Sequence, residues 1–70
     1  MVSVTYWTGR EAKALRHALR LSVRAFAEDL GVAVRTVTKW EALGAGTTPR
    51  PFLQATLDTA LAYVLRLLPM

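Results

Sequence analysis

Two short helices and the turn between them are encoded in residues 22–41, SVRAFAEDLGVAVRTVTKWE. The turn is predicted at Gly31, because glycine takes the positive φ that ends a helix at no steric cost. Ala27 is small enough to let the two helices cross closely, and Val37 is spaced to point back between them. We therefore expect a core of Phe26, Ala27, Leu30, Gly31, Val37 and Trp40.

These residues resemble the helix-turn-helix of the xenobiotic-response-element (XRE) repressor family, which includes the phage repressors. The matching positions are Ala27, residues 30–32 and residues 35–41, and the likeness extends over residues 10–64. The opening Trp7-Thr8-Gly9-Arg10-Glu11 is similar to that of actinobacterial members. The resemblance implies a compact all-α domain of four or five helices that places its second motif helix in the DNA major groove.

The composition limits the other possibilities. Seventy residues form one small domain, and with no cysteine the chain has neither a disulfide framework nor a thiolate metal site. No run approaches the ~18 apolar residues of a membrane span, and no signal peptide is visible, so we expect a soluble, cytoplasmic protein. The net charge of +4, with seven arginines among nine basic residues, favours a polyanionic partner such as nucleic acid.

Residues 1–7 are predicted to form an N-terminal arm, and residues 8–70 the helix-turn-helix domain. Residues 2–7 alternate small polar with apolar residues, which is typical of a short strand. Two interpretations remain open. The segment is either a tail whose Tyr6 and Trp7 pack over the helices, or a strand formed by residues 2–6 that pairs with its copy in a homodimer.

The first helix is predicted to start at Thr8, since Thr8 and Glu11 have the spacing of a capping box. Its buried side is expected to consist of the residues that recur at helical spacing, which are Ala12, Leu15, Ala18 and Leu19. His17, the only histidine, has no companion residues for a metal or catalytic site and is expected to face solvent.

Arg16 lies beside this buried side, and Glu41 closes the third predicted helix. In the family that the chain resembles, the residues at these two positions form an ion pair. The resemblance therefore implies a partly buried Arg16–Glu41 pair, and removing one partner of a buried pair costs ~3–5 kcal/mol. The alternative is two separate surface charges, worth ~0–1 kcal/mol.

The third helix, residues 34–43, carries the candidate base-reading residues. Placing Val37 and Trp40 inward turns the opposite side to solvent. That side presents Arg35, Thr38 and Lys39, with Val34 on its flank. An arginine fork fits guanine O6 and N7, and a threonine contacts a base edge or a thymine methyl group. The alternative is an ordinary solvated helix face.

The candidate phosphate-binding residues lie at helix ends and in a loop. Ser22 is the predicted N-cap of the second helix, and with Arg24 it makes that helix N-terminus an anion site. The resemblance adds Thr36, Thr47 and Arg50, where relatives contact the DNA backbone. Ala33 replaces the usual Ser or Thr cap of the third helix.

The last helix is predicted to open with Pro51 and to run to about residue 68, after a glycine- and proline-rich loop over residues 43–51. Its apolar residues are Leu53, Leu57, Ala60, Leu61, Val64, Leu65 and Leu68. The first of these complete the core. Residues 64–68 extend beyond it, which indicates either a homodimer contact or contact with a further domain or protein partner beyond residue 70.

The sequence favours a double-stranded-DNA-binding transcriptional regulator, with repressor, activator and antitoxin roles all open. The alternative is a protein-interaction module whose main contact is the apolar face of the last helix. Retention of Arg35 and Lys39 favours the DNA function. We expect no enzyme activity, no metal and no cofactor, because the sequence contains no nucleophile–base pair, metal-ligand cluster or cofactor loop.

Overall fold

The computed structural model describes residues 6–67. They form four α-helices and one short 3₁₀ turn: α1 (Gly9–Leu19), α2 (Val23–Leu30), α3 (Val34–Leu43), the 3₁₀ turn Gly44–Gly46, and α4 (Pro51–Leu67). The all-α prediction is confirmed, and α3 has the predicted bounds. Residues 1–5 of the predicted arm and residue 68, the predicted end of the last helix, lie outside the described residues.

The helix ends follow the capping signals of the sequence. The backbone N–H of Thr8 donates to Glu11 Oε1 (3.0 Å), and the Thr8 hydroxyl donates to the same oxygen. This hydroxyl contact lowers the pKa of the Glu11 carboxyl. Ser22 Oγ accepts from the backbone N–H of Ala25 at 3.1 Å. Gly31 has a φ of 73° and ends α2, with the Val32 N–H donating to the Ala27 carbonyl at 3.0 Å.

The core lies where all four helices meet. Its buried side chains are Trp7, Ala12, Leu15, Phe26, Ala27, Val37, Trp40, Leu53 and Leu57. Of the other residues expected in the motif core, Leu30 is half-buried and Gly31 is exposed, because Gly31 serves the turn.

Two details of the prediction are wrong. Ala18 is exposed, because the buried side of α1 is centred on Ala12, Leu15 and Leu19, and a residue six positions after Ala12 is rotated by about 120° from it. The segment predicted as an irregular loop begins with the 3₁₀ turn Gly44–Gly46. This turn continues the chain from α3 after the φ of 53° at Gly44 has ended the helix.

Trp7 connects the N-terminal segment to α4 through three hydrogen bonds. Its backbone N–H donates to Gln54 Oε1 (2.8 Å), and its carbonyl accepts from Gln54 Nε2 (3.0 Å). The indole Nε1 donates to Asp58 Oδ1 at 2.7 Å. The ring itself is buried among core residues. Trp7 therefore packs over the helices, as the tail interpretation expects, whereas Tyr6 is 61% exposed.

Gly9 sets the distance between α1 and the end of α3. A Cβ atom at this position would lie 2.0 Å from the Trp40 carbonyl oxygen and 2.8 Å from that of Gly44. The Gly9 N–H donates to the Thr47 carbonyl at 3.0 Å. Only a residue without a side chain allows the first turn of α1 to lie directly on this backbone.

We expect Gly9→Ala to lower the free energy of unfolding by roughly 2–4 kcal/mol, because the clash is with backbone atoms that cannot turn aside. Urea denaturation followed by circular dichroism measures the loss. Gly46→Ala is the matched control, since a Cβ there has no neighbour within 4 Å. Equal stabilities for the two variants would contradict the close approach at Gly9.

Candidate nucleic-acid interface

The turn at Gly31 and the buried side of α3 determine which residues α3 presents to solvent. Val37 and Trp40 are buried against α1 and α2. The opposite side exposes Arg35, Thr38 and Lys39. These are three of the four candidate base-reading residues. The fourth, Val34, is also exposed, at the first turn of the helix.

The polar side chains on the exposed side of α3 differ in whether they already form hydrogen bonds within the domain. The Thr38 hydroxyl donates to the Val34 carbonyl within the helix at 3.0 Å. Its proton is therefore occupied, and what Thr38 offers a ligand is oxygen lone pairs and a methyl group. The side chains of Arg35 and Lys39 form no hydrogen bond or ion pair with any residue in 6–67. Their donors are available to an external acceptor.

A polar cleft of about 210 Å³ lies between α3 and the start of α4. Its polar lining comes from Thr36 and Lys39 of α3, Thr47 and Thr48 of the loop, and Arg50. Trp40 and Leu53 supply the apolar part, and no carboxylate lines the cleft. The fold thus brings together three of the five candidate phosphate residues (Thr36, Thr47 and Arg50) with one candidate base reader, Lys39.

The loop side of this cleft is held by backbone hydrogen bonds. The Thr47 N–H donates to the Gly44 carbonyl at 3.3 Å, and the Thr47 carbonyl accepts from Gly9. Beside it, Tyr6 Oη lies 3.1 Å from Thr48 Oγ1. No local pattern in the sequence indicates that Tyr6 lies beside this cleft, because the contact joins residues 42 positions apart.

Ser22 and Arg24 do not line the cleft; they lie at the start of α2. Both are exposed. Since the Ser22 oxygen accepts the Ala25 N–H, the hydroxyl proton of Ser22 stays available as a donor. The N-terminus of α2 therefore presents hydrogen-bond donors and a positive charge at a second place, outside the lining of the cleft.

Arg16 and Glu41 form a two-pronged ion pair that ties α1 to α3. Arg16 Nε donates to Glu41 Oε2 at 2.5 Å, and Nη2 donates to Glu41 Oε1 at 2.9 Å. Nη1 donates to the Leu21 carbonyl at 2.9 Å. The two side chains are 16% and 13% exposed. The hydrogen bonds from Arg16 lower the pKa of Glu41 below its usual value of 4.5 and raise that of Arg16.

We expect Glu41→Gln to lower the free energy of unfolding by roughly 1–3 kcal/mol near neutral pH, because it leaves Arg16 without its charged partner. A carboxyl whose pKa is lowered by folding stabilises above its unfolded pKa, and that stabilisation is lost as pH falls through the folded value. The difference between wild type and variant should therefore shrink below about pH 4.5.

Urea titrations at a series of pH values measure this difference. Glu28→Gln is the matched control, since Glu28 is exposed and forms no ion pair within residues 6–67. A gap between wild type and Glu41→Gln that stays constant down to pH 3 would show that the pair does not carry the effect.

No protein-family model, curated protein or solved structure matches the chain. In the described part of the chain, no three His, Cys, Asp or Glu side chains are grouped so that they could hold a metal ion. Over the same residues, no helix combines the length and apolar character needed to cross a membrane.

Proposed function

We propose that the protein is a cytoplasmic, sequence-specific regulator of transcription that binds double-stranded DNA with a helix-turn-helix similar to that of the XRE family. The observation that carries the proposal is the acid-free cleft beside the exposed side of α3, where Lys39 and Arg50 meet three threonine side chains. Such a surface suits a phosphate backbone next to a base-reading helix.

In this proposal α3 enters the major groove and reads bases with its exposed side. Arg35 has free donors and is suited to the O6 and N7 acceptors of guanine. Thr38, whose proton is used within the helix, accepts from an amino group of cytosine or adenine, or packs its methyl group against thymine. Val34 adds an apolar contact at the same end of the helix.

The cleft and the start of α2 bind the backbone. Arg50 and Lys39 supply charge to a phosphate in the cleft, and Thr36 and Thr47 supply hydroxyl donors. A second phosphate lies at the N-terminus of α2, within reach of Ser22 and Arg24. Contacts of this kind fix the register of the protein on the duplex without reading sequence. The mechanism needs neither a cofactor nor a catalytic group.

We expect Arg50→Ala to weaken binding to random duplex DNA and to lower the slope of log affinity against log salt concentration by about 1, because one phosphate contact is lost. Fluorescence anisotropy at several salt concentrations measures both. Arg10→Ala is the control of equal charge change, since the Arg10 side chain is 77% exposed on α1 and outside the cleft.

An equal loss of slope in the two variants would mean that only net charge matters, and the cleft would lose its assigned role. Absence of binding by the wild type at low salt would overturn the proposal. The chain would then be better explained as a protein-interaction module, because α4 exposes Phe52, Tyr63 and Leu67.

Once a preferred site has been selected from random duplexes, Arg35→Ala should cost about 1–3 kcal/mol of binding free energy and relax the preference at one base pair. Competition with duplexes that carry each base at each position measures the preference. Arg50→Ala, by contrast, should weaken all sequences alike. A uniform loss of affinity in Arg35→Ala would place Arg35 on the backbone rather than on a base.

A further inference from the structure

A second depression of the surface, an apolar groove of about 450 Å³, lies between α2 and α4. Phe26 and Leu30 line it from α2, and Ala60 and Tyr63 line it from α4. Asp29 is the only charged residue in its lining. The groove shares no lining residue with the polar cleft.

Two threonines of α4 that line the groove add little polarity to it. The Thr56 hydroxyl donates to the Phe52 carbonyl at 3.2 Å, and the Thr59 hydroxyl donates to the Ala55 carbonyl at 3.1 Å. Both protons are therefore used within the helix. Apart from Asp29, the lining of the groove favours an apolar occupant.

The exposed face of α4 has the matching character. Phe52, Tyr63 and Leu67 are 67%, 59% and 63% exposed, and their spacing of 11 and 4 residues places them on one side of the helix. Arg66 lies at the edge of this side. The other charged residue of α4, Asp58, lies elsewhere on the helix and accepts from the Trp7 indole. The face thus combines three large apolar side chains with one positive charge and two threonines whose hydroxyl protons are used within the helix.

We propose that the groove is filled by α4 of a second copy of this chain. The two α4 helices pack side by side about a twofold axis, so that the exposed apolar face of each covers the groove of the other. Arg66 of the partner subunit then pairs with Asp29, and the reverse pair forms across the axis, as a twofold interface requires.

Two features support a second copy as the occupant. The lone charges are opposite in sign, with Asp29 in the groove and Arg66 on the face, and Asp29 forms no ion pair within the chain's described residues. The pairing also covers apolar surface that a monomer would leave in water. The proposal rests on the proposed function in one respect: two copies supply the two half-sites that specific DNA binding usually needs. The dimer leaves the polar cleft beside α3 uncovered, because the groove and the cleft share no lining residue.

Sedimentation equilibrium of the 70-residue chain without DNA, from about 1 μM to about 1 mM, tests the proposal. We expect a monomer–dimer equilibrium. Asp29→Arg and Arg66→Asp should each raise the dissociation constant at least about tenfold, since each homodimer then places like charges opposite one another twice. Glu28→Arg, exposed on α2 outside the groove, is the control with the same charge change as Asp29→Arg.

The decisive sample is an equimolar mixture of the two single variants. Their heterodimer contains two opposite-charge pairs and should form with close to wild-type affinity. If residues 29 and 66 paired within one chain, affinity would return in the double variant but not in the mixture. Recovery in the mixture supports the interface, and its failure overturns the assigned pair.

Tyr63→Glu tests the apolar part independently, with Leu43→Glu as its control, because Leu43 is 51% exposed on α3 and lies outside the groove. Only Tyr63→Glu should abolish the dimer, while circular dichroism shows both variants folded. A chain that is monomeric throughout the concentration range overturns the proposal. The proposal is also overturned if the chain stays monomeric and the NMR signals of its groove residues shift when a hydrophobic dye is added. Because no DNA is present, neither result bears on the DNA-binding proposal.

Discussion

The position of α3 depends on the ion pair between Arg16 and Glu41. The guanidinium places donors on both carboxylate oxygens and a third on the Leu21 carbonyl. The pair therefore fixes the end of α3 against α1 and also holds the connection that leads into α2. Ionic groups this well covered stabilise little in net terms when compared with an apolar pair, whereas the two parallel hydrogen bonds add geometric specificity to the contact. The interaction acts chiefly on the orientation of the helix that carries Arg35 and Lys39.

The two surfaces of the protein are supported differently. α3 is held at its start by the turn at Gly31, along its length by Val37 and Trp40, and at its end by the contact of Gly9 with backbone. A helix that reads bases needs this support, since small displacements remove a bidentate contact. α4 is held mainly through its first half, where Leu53 and Leu57 are buried. The second half of α4 exposes large apolar side chains to solvent, as is expected of a surface that associates with a partner.

Local patterns in the sequence predicted most of the helices, because capping and periodicity act over a few residues. The bounds of α3, the start of α4 and the caps at Thr8 and Ser22 are of this kind. The resemblance supplied the Arg16–Glu41 pair, which periodicity alone leaves undetermined. Contacts between distant segments have no local pattern in the sequence. In the sequence Gly9 is an ordinary first-turn glycine, and its role follows only from the fold, in which the end of α3 lies against it. Likewise, Arg20 takes a left-handed φ of 58°, which the sequence does not indicate because the residue is not a glycine.

The distribution of charge connects fold and function. Of the five acidic residues, Glu11 caps α1, Glu41 binds Arg16 and Asp58 binds the Trp7 indole, so three are used inside the domain. The remaining two, Glu28 and Asp29, both lie on α2. No acidic residue is therefore left on α3 or in the following loop to neutralise the basic groups there. In the cleft beside α3, Lys39 and Arg50 therefore lie together without a carboxylate in the lining. An anion placed in this cleft would meet two positive side chains that no carboxylate of the lining neutralises.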